Sequence, residues 1–148
     1  MRQYSWVRLL FFIVIFIQLS DCQSQTIKKK YTFTWREPQS YTFENGISEK
    51  FLYFENAVFG RDYPELPSIY EAIPVDNFFS EYEVKVIDRE FADMSAEECR
   101  LVPSGFRQSN VDYQVVSAYD RKEIFALLTF IPIVMTSEGH YQKLLSVT

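Results

Sequence analysis

Large aromatic side chains fall on every second position of Tyr31-Thr32-Phe33-Thr34-Trp35, with threonine between them. An α-helix cannot keep a period of two on one side, whereas successive side chains of a β-strand point to opposite faces. This segment is therefore expected to be a half-buried strand with Tyr31, Phe33 and Trp35 facing the core. Pro38 is expected to end it, because proline lacks the donor that a sheet ladder needs. Tyr41 and Phe43 carry the alternation on to Glu44-Asn45-Gly46. Asn-Gly tolerates positive φ and predicts a tight hairpin turn, with a return strand over Ile47–Phe54. Aromatic residues make up 18% of the chain, which favours a pleated, half-buried surface throughout.

The remaining segments extend this β reading. Ala57 to Asn77 holds Gly60, Pro64, Pro67 and Pro74 without a clean period, and is expected to be a long ordered connection. Its aromatics Phe59, Tyr63 and Tyr70 favour packing against the body; a flexible linker is the alternative. Phe78 to Ile87 places Tyr82, Val84 and Val86 opposite Glu81, Glu83 and Lys85, the pattern of a strand with one wet side. Ser95-Ala96-Glu97-Glu98 is a capping box, so a short helix should start there and end near Pro103. Val111, Tyr113 and Val115 form another half-buried strand, and Asp120-Arg121-Lys122 a turn.

Ile124 to Met135 is almost wholly apolar, which predicts a central or covered strand. A buried helix is its rival, and Pro132 among β-branched neighbours speaks against that rival. Ser137-Glu138-Gly139 turns the chain into a last strand, Tyr141–Val147, which the sequence leaves without a closing turn. The expected fold is mainly β. It is an antiparallel sheet or sandwich with one short helix, a long proline-containing connection and a last strand cut short.

The first two dozen residues are of another kind. Arg2 and Arg8 make a positive start, Leu9 to Leu19 is apolar apart from Gln18, and Ser20 to Gln25 is polar. This is the layout of a secretory signal peptide, too short in its apolar part to span a bilayer. The expected division is a signal over 1–24 and a β-rich domain over 25–148, incomplete at its C-terminus. Export places the chain in the periplasm, at the outer membrane surface or outside the cell. Small residues favour cleavage after Cys22 or Ser24. Leu19-Ser20-Asp21-Cys22 also resembles a lipoprotein box in which Cys22 would carry lipid, although Asp21 departs from it.

Charge and side-chain inventory exclude several functions. The net charge of −5 has the wrong sign for a nucleic-acid partner. Lys28, Lys29 and Lys30 form the one basic run, which reads as a solvated flank. One histidine and two separated cysteines cannot supply a zinc site, and no phosphate-binding glycine loop is present. If Cys22 leaves with the signal, Cys99 has no disulfide partner. A Cys99–His140 dyad is disfavoured, because Glu97 and Glu98 place negative charge beside a sulfur that would have to become a thiolate. Those two carboxylates are neighbours that point different ways, so surface solvation accounts for them better than acid–base work. The sequence thus assigns no catalytic, cofactor-binding or metal-binding residue, no cofactor and no transmembrane span in the mature chain.

A resemblance emerges from the order of several short phrases. These are the aromatic strand ending at Trp35, Phe54-Glu55-Asn56-Ala57, Leu66-Pro67 with Tyr70, and the Ser95-x-x-Glu98 turn. Later come Ala118-Tyr119-Asp120-Arg121-Lys122, Phe130-Ile131-Pro132-Ile133 and Gly139-His140-Tyr141-Gln142-Lys143-Leu144. In this order they resemble the N-terminal pro-region of gingipain-like cysteine peptidases, nearest to the PorU-type sortases of type IX secretion. The resemblance spans Tyr31 to Val147. It implies a long cell-surface protein whose peptidase domain lies far downstream. In that family the enzyme removes a sorting domain from cargo and attaches the cargo to surface lipopolysaccharide. No catalytic residue of the family falls within this chain. The resemblance implies a non-catalytic, propeptide-like part that acts by packing against a downstream or separate cysteine peptidase domain. An independent exported envelope binding domain or lipoprotein is the alternative reading.

Overall fold

The computed structural model describes residues 24–60, 62–78 and 81–148. The expected signal peptide and the expected acylation site at Cys22 lie outside the described residues. Among the described residues ten strands and one helix follow in order: β1 (Tyr31–Thr32), β2 (Trp35–Thr42), β3 (Ser48–Phe54), β4 (Val58–Phe59), β5 (Pro67–Pro74) and β6 (Arg89–Asp93). Then come α1 (Ala96–Cys99), β7 (Gln114–Asp120), β8 (Glu123–Phe130), β9 (Ile133–Met135) and β10 (Tyr141–Val147). All strand pairs are antiparallel. The fold is mainly β, as the alternation predicts, with one short helix and no closed barrel among the described residues.

Two sheets face each other. One runs β4-β5-β8-β7; the other is built around β10, which pairs with β1, β6 and β9. Leu128 and Phe130 of β8 meet Val134, Leu144 and Val147 of the second sheet, with Phe33, Phe54 and Val111 completing the cluster. A second cluster gathers Leu52, Leu66, Met94, Val102, Phe106 and Ile133. Phe33 and Phe130 pack edge to face at 6.1 Å, Phe33 and Phe54 at 5.2 Å. Such pairs add roughly 0.5–1.5 kcal/mol each beyond burial.

The β2–β3 hairpin stands on this body, and it corrects one expectation. Pro38 does not end the strand. Arg36 pairs with Tyr53 and Gln39 with Phe51, so Glu37 and Pro38 together oppose Leu52. This is a β-bulge, one of the places where a sheet tolerates proline. The surplus residue reverses the sense of the alternation. Trp35, paired with Phe54, faces the core, whereas Tyr41 and Phe43 share the opposite face with Phe51 and Ile47. At the tip, Phe43 N donates to Ile47 O (2.8 Å) and Gly46 N to Phe43 O (2.9 Å). Of Asn45 and Gly46 only the glycine has positive φ, +80°, so the connection is a three-residue loop and not the two-residue turn that Asn-Gly suggests.

Other boundaries also move. The proline-containing connection holds strand β5, bounded by Pro67 and Pro74 and paired with β4 at Pro67 and Ser68 and with β8 from Ile69 to Pro74. Over the described part of Phe78–Ile87 the expected strand is absent. No neighbour offers it a ladder until Ile87 N reaches Thr148 O at 2.7 Å, and Val84, Val86 and Ile87 stay exposed. The strand forms instead at Arg89–Asp93, where β10 supplies a partner. The apolar run Ile124–Met135 divides at Ile131-Pro132, sending β8 to one sheet and β9 to the other. Helix α1 begins at the predicted capping box and ends at Arg100, short of Pro103. The last strand forms as predicted and lies inside its sheet, between β6 on one side and β1 and β9 on the other.

Candidate functional site

The surface that stands out is the outer face of the β5-β8-β7 sheet. Register places Ala72, Leu127 and Val116 in one row across the three strands, with Pro74, Phe125 and Ala118 in the next. Tyr70, Thr129 and Gln114 form the row on the other side, with Tyr70 56% and Val116 58% exposed. The inner face of the same strands carries Ile69, Ile73, Val115, Ala126, Leu128 and Phe130 toward the core. An antiparallel sheet with one wet side alternates apolar and polar residues. Here β8 is apolar on both sides, and nothing among the described residues fully covers the outer one. Taking a fully exposed Val, Leu or Phe side chain wholly out of water is worth roughly 1.5–3 kcal/mol, of which the half-buried Leu127 and Phe125 have only a part left to gain and the more exposed Val116 more.

Polar groups around the body are mostly paired, and they serve the fold. Glu71 interrupts the inner face of β5, where Lys29 Nζ and the Tyr31 hydroxyl both donate to its carboxylate. Burial pushes that acid up, but these two hydrogen bonds and the lysine charge outweigh it and hold the group below the usual range. Lys29 is thus taken out of the basic run and is half-buried, whereas Lys28 and Lys30 are exposed flank as expected. The same contacts, after burial itself, push the Tyr31 phenol well above its ordinary value.

Glu98 corrects the expectation of surface solvation. It is only 8% exposed, because the capping box turns its carboxylate back to Ser95 N (2.8 Å) and Lys143 reaches it from β10. Burial again pushes the acid up, and Lys143 and Ser95 overcome it, leaving it below the usual range. Glu97 stays exposed and pairs with Lys50 (3.1 Å), so the two glutamates do point apart.

Cys99 and His140 come closer together than their separation in the chain suggests. Both line a shallow recess of about 520 Å³ with Met94, Glu138 and Tyr141. Yet the Cys99 sulfur is directed to Met94 O (3.7 Å), and the backbone N of His140 donates to Thr136 Oγ1 (3.2 Å). No hydrogen bond links sulfur and imidazole among the described residues. The described residues also hold no group of three or more metal-ligating side chains, and no helix among them is long and apolar enough to cross a membrane.

No protein-family model, curated protein or solved structure matches the chain. The residues that reading the sequence missed are those of β5. Alternation from Ser68 to Pro74 was available as a signal, with Ile69 and Ile73 on one side and Tyr70 and Ala72 on the other, but Glu71 on the inner side and the flanking prolines masked it.

Proposed function

We propose that the chain is a non-catalytic, propeptide-like docking domain of the gingipain pro-region kind, which packs the outer face of its β5-β8-β7 sheet against a cysteine peptidase domain. The observation that carries this reading is the pair of apolar rows across that face, Ala72–Leu127–Val116 and Pro74–Phe125–Ala118. Such a face gains free energy only when another apolar surface covers it. The order of phrases shared with the sortase pro-region supports the nature of the partner. In this reading the chain is exported and acts in the periplasm, at the outer membrane surface or outside, by assisting the folding of the peptidase or shielding its cleft.

The test is calorimetric titration of the purified chain against the gingipain-like peptidase domain encoded in the same genome. Wild type should bind. Val116→Glu should bind at least about tenfold more weakly, a difference of about 1.4 kcal/mol. Its melting curve should be unchanged, since Val116 projects into solvent. Absence of binding by wild type, or equal binding by the variant, would overturn the reading.

A further inference from the structure

A different part of the surface carries an inference of its own. All residues from Gln39 to Lys50 are exposed, so the outer half of the β2–β3 hairpin projects from the body. Near its base the core-facing side of β3 holds Leu52 and Phe54, both buried. Beyond the Pro38 bulge that same side is polar, with Ser40, Thr42, Ser48 and Lys50, and Thr42 Oγ1 lies 2.9 Å from Ser48 Oγ. The apolar residues have changed sides. Tyr41 and Phe43 are 5.0 Å apart, Phe43 and Phe51 6.4 Å, and Phe51 and Phe59 of β4 5.8 Å. Ile47 extends this row at the tip, and Tyr41 is 61% exposed.

This row faces away from the domain's own core, so holding the fold together does not account for its rings. Ladder bonds and the Asn45 side chain, which accepts from Ile47 N, fix the hairpin beforehand, so little ordering cost attaches to binding. Tyrosine and phenylalanine in such a setting are the residues that anchor protein interfaces. Charge selects among occupants. Glu49 shares the aromatic face directly across from Tyr41, and Glu44 stands in the turn. Neither is in an ion pair among the described residues. A second copy would bring like carboxylates together, and an anionic bilayer would repel them.

We propose that the outer half of the hairpin is a second docking element, which enters an apolar cleft of a partner protein rimmed by lysine or arginine. It is independent of the sheet face and does not require the partner to be a peptidase.

The test is site-specific photo-crosslinking of the full chain in its own producing cells. Benzoylphenylalanine replaces Phe43 or Ile47 on the aromatic side and, as a control, Ser40 or Ser48 on the polar side. The adduct is identified by mass spectrometry, and the captured protein is purified and titrated. Crosslinking should come from the aromatic side alone. Tyr41→Ser/Phe43→Ser and Glu44→Lys/Glu49→Lys should each weaken binding at least about tenfold, with Glu44→Gln/Glu49→Gln deciding if the reversed-charge variant does not fold. Equal yields from both sides, no adduct, or adducts of the chain only with itself would overturn the proposal. So would unchanged binding after removal of the two charges, or binding of the chain to phosphatidylglycerol vesicles.

Discussion

A carboxylate withdrawn from water, wholly as Glu98 or in part as Glu71, is tolerated only with partners that replace that water. Glu98 has Lys143, the Ser95 amide and a position in the first turn of α1; Glu71 has Lys29 and Tyr31. Both acids titrate below their ordinary range in the folded chain. The unfolded chain therefore binds more protons over that window, and stability rises with pH through it. Each acid contributes fully above the unfolded carboxylate pKa, and the contribution is lost as pH falls through the folded value. Glu98→Gln removes one source of this dependence and leaves the ammonium of Lys143, a side chain only 17% exposed, without its counter-charge. Urea titrations should show a loss of about 2 kcal/mol at neutral pH, in the range for hydrogen bonds to charged groups. The variant should also lose less stability than wild type on acidification. A difference between the two proteins that does not shrink as pH falls would contradict this account.

At the scale of elements, the β7–β8 hairpin is closed by Arg121 and Lys122, with φ of +48° and +86°. Two consecutive left-handed residues define a mirror-image turn that suits the twist of the strands but disfavours side chains bearing Cβ. Arg121→Asn/Lys122→Gly should raise stability by about 1 kcal/mol, read from the urea midpoint at constant slope. Much of this level was legible beforehand. The Ser95 capping box and the strand from Tyr141 formed where the residues predicted, and the chain turns at Gly46 as expected, although through a three-residue loop. What could not be read depends on partners distant in the chain. Phe78–Ile87 alternates well but has no neighbouring ladder, so its described part stays irregular. Pro67–Pro74 alternates poorly around Glu71, yet β8 lies beside it. The run from Ile124 announced a strand apolar on both sides, but its outer face could not be recognised as a site while β5 was read as a connection.

On the scale of the whole molecule, two apolar clusters share one side chain. Trp35 packs against the group around Phe130 and the group around Phe106, and its indole Nε1 donates to Leu144 O at 2.7 Å. Lys143 Nζ lies 5.6 Å from the centre of the ring. Trp35→Ala should cost about 3 kcal/mol, the lower end for loss of a large aromatic. Hydrogen exchange should then show amides near Leu52 and Phe106 opening before those near Phe130. Uniform opening throughout would mean that the clusters are coupled by other contacts.

The surplus residue at Pro38 has a consequence for how the protrusion can vary. Inside it, strand positions are counted outward from Trp35 and Phe54; beyond it, they are counted inward from the glycine loop. The two counts need not agree, because the kink absorbs their mismatch. The tip is therefore a replaceable module: one of different length or lettering could be spliced on at this joint while the foundation beneath kept its alignment.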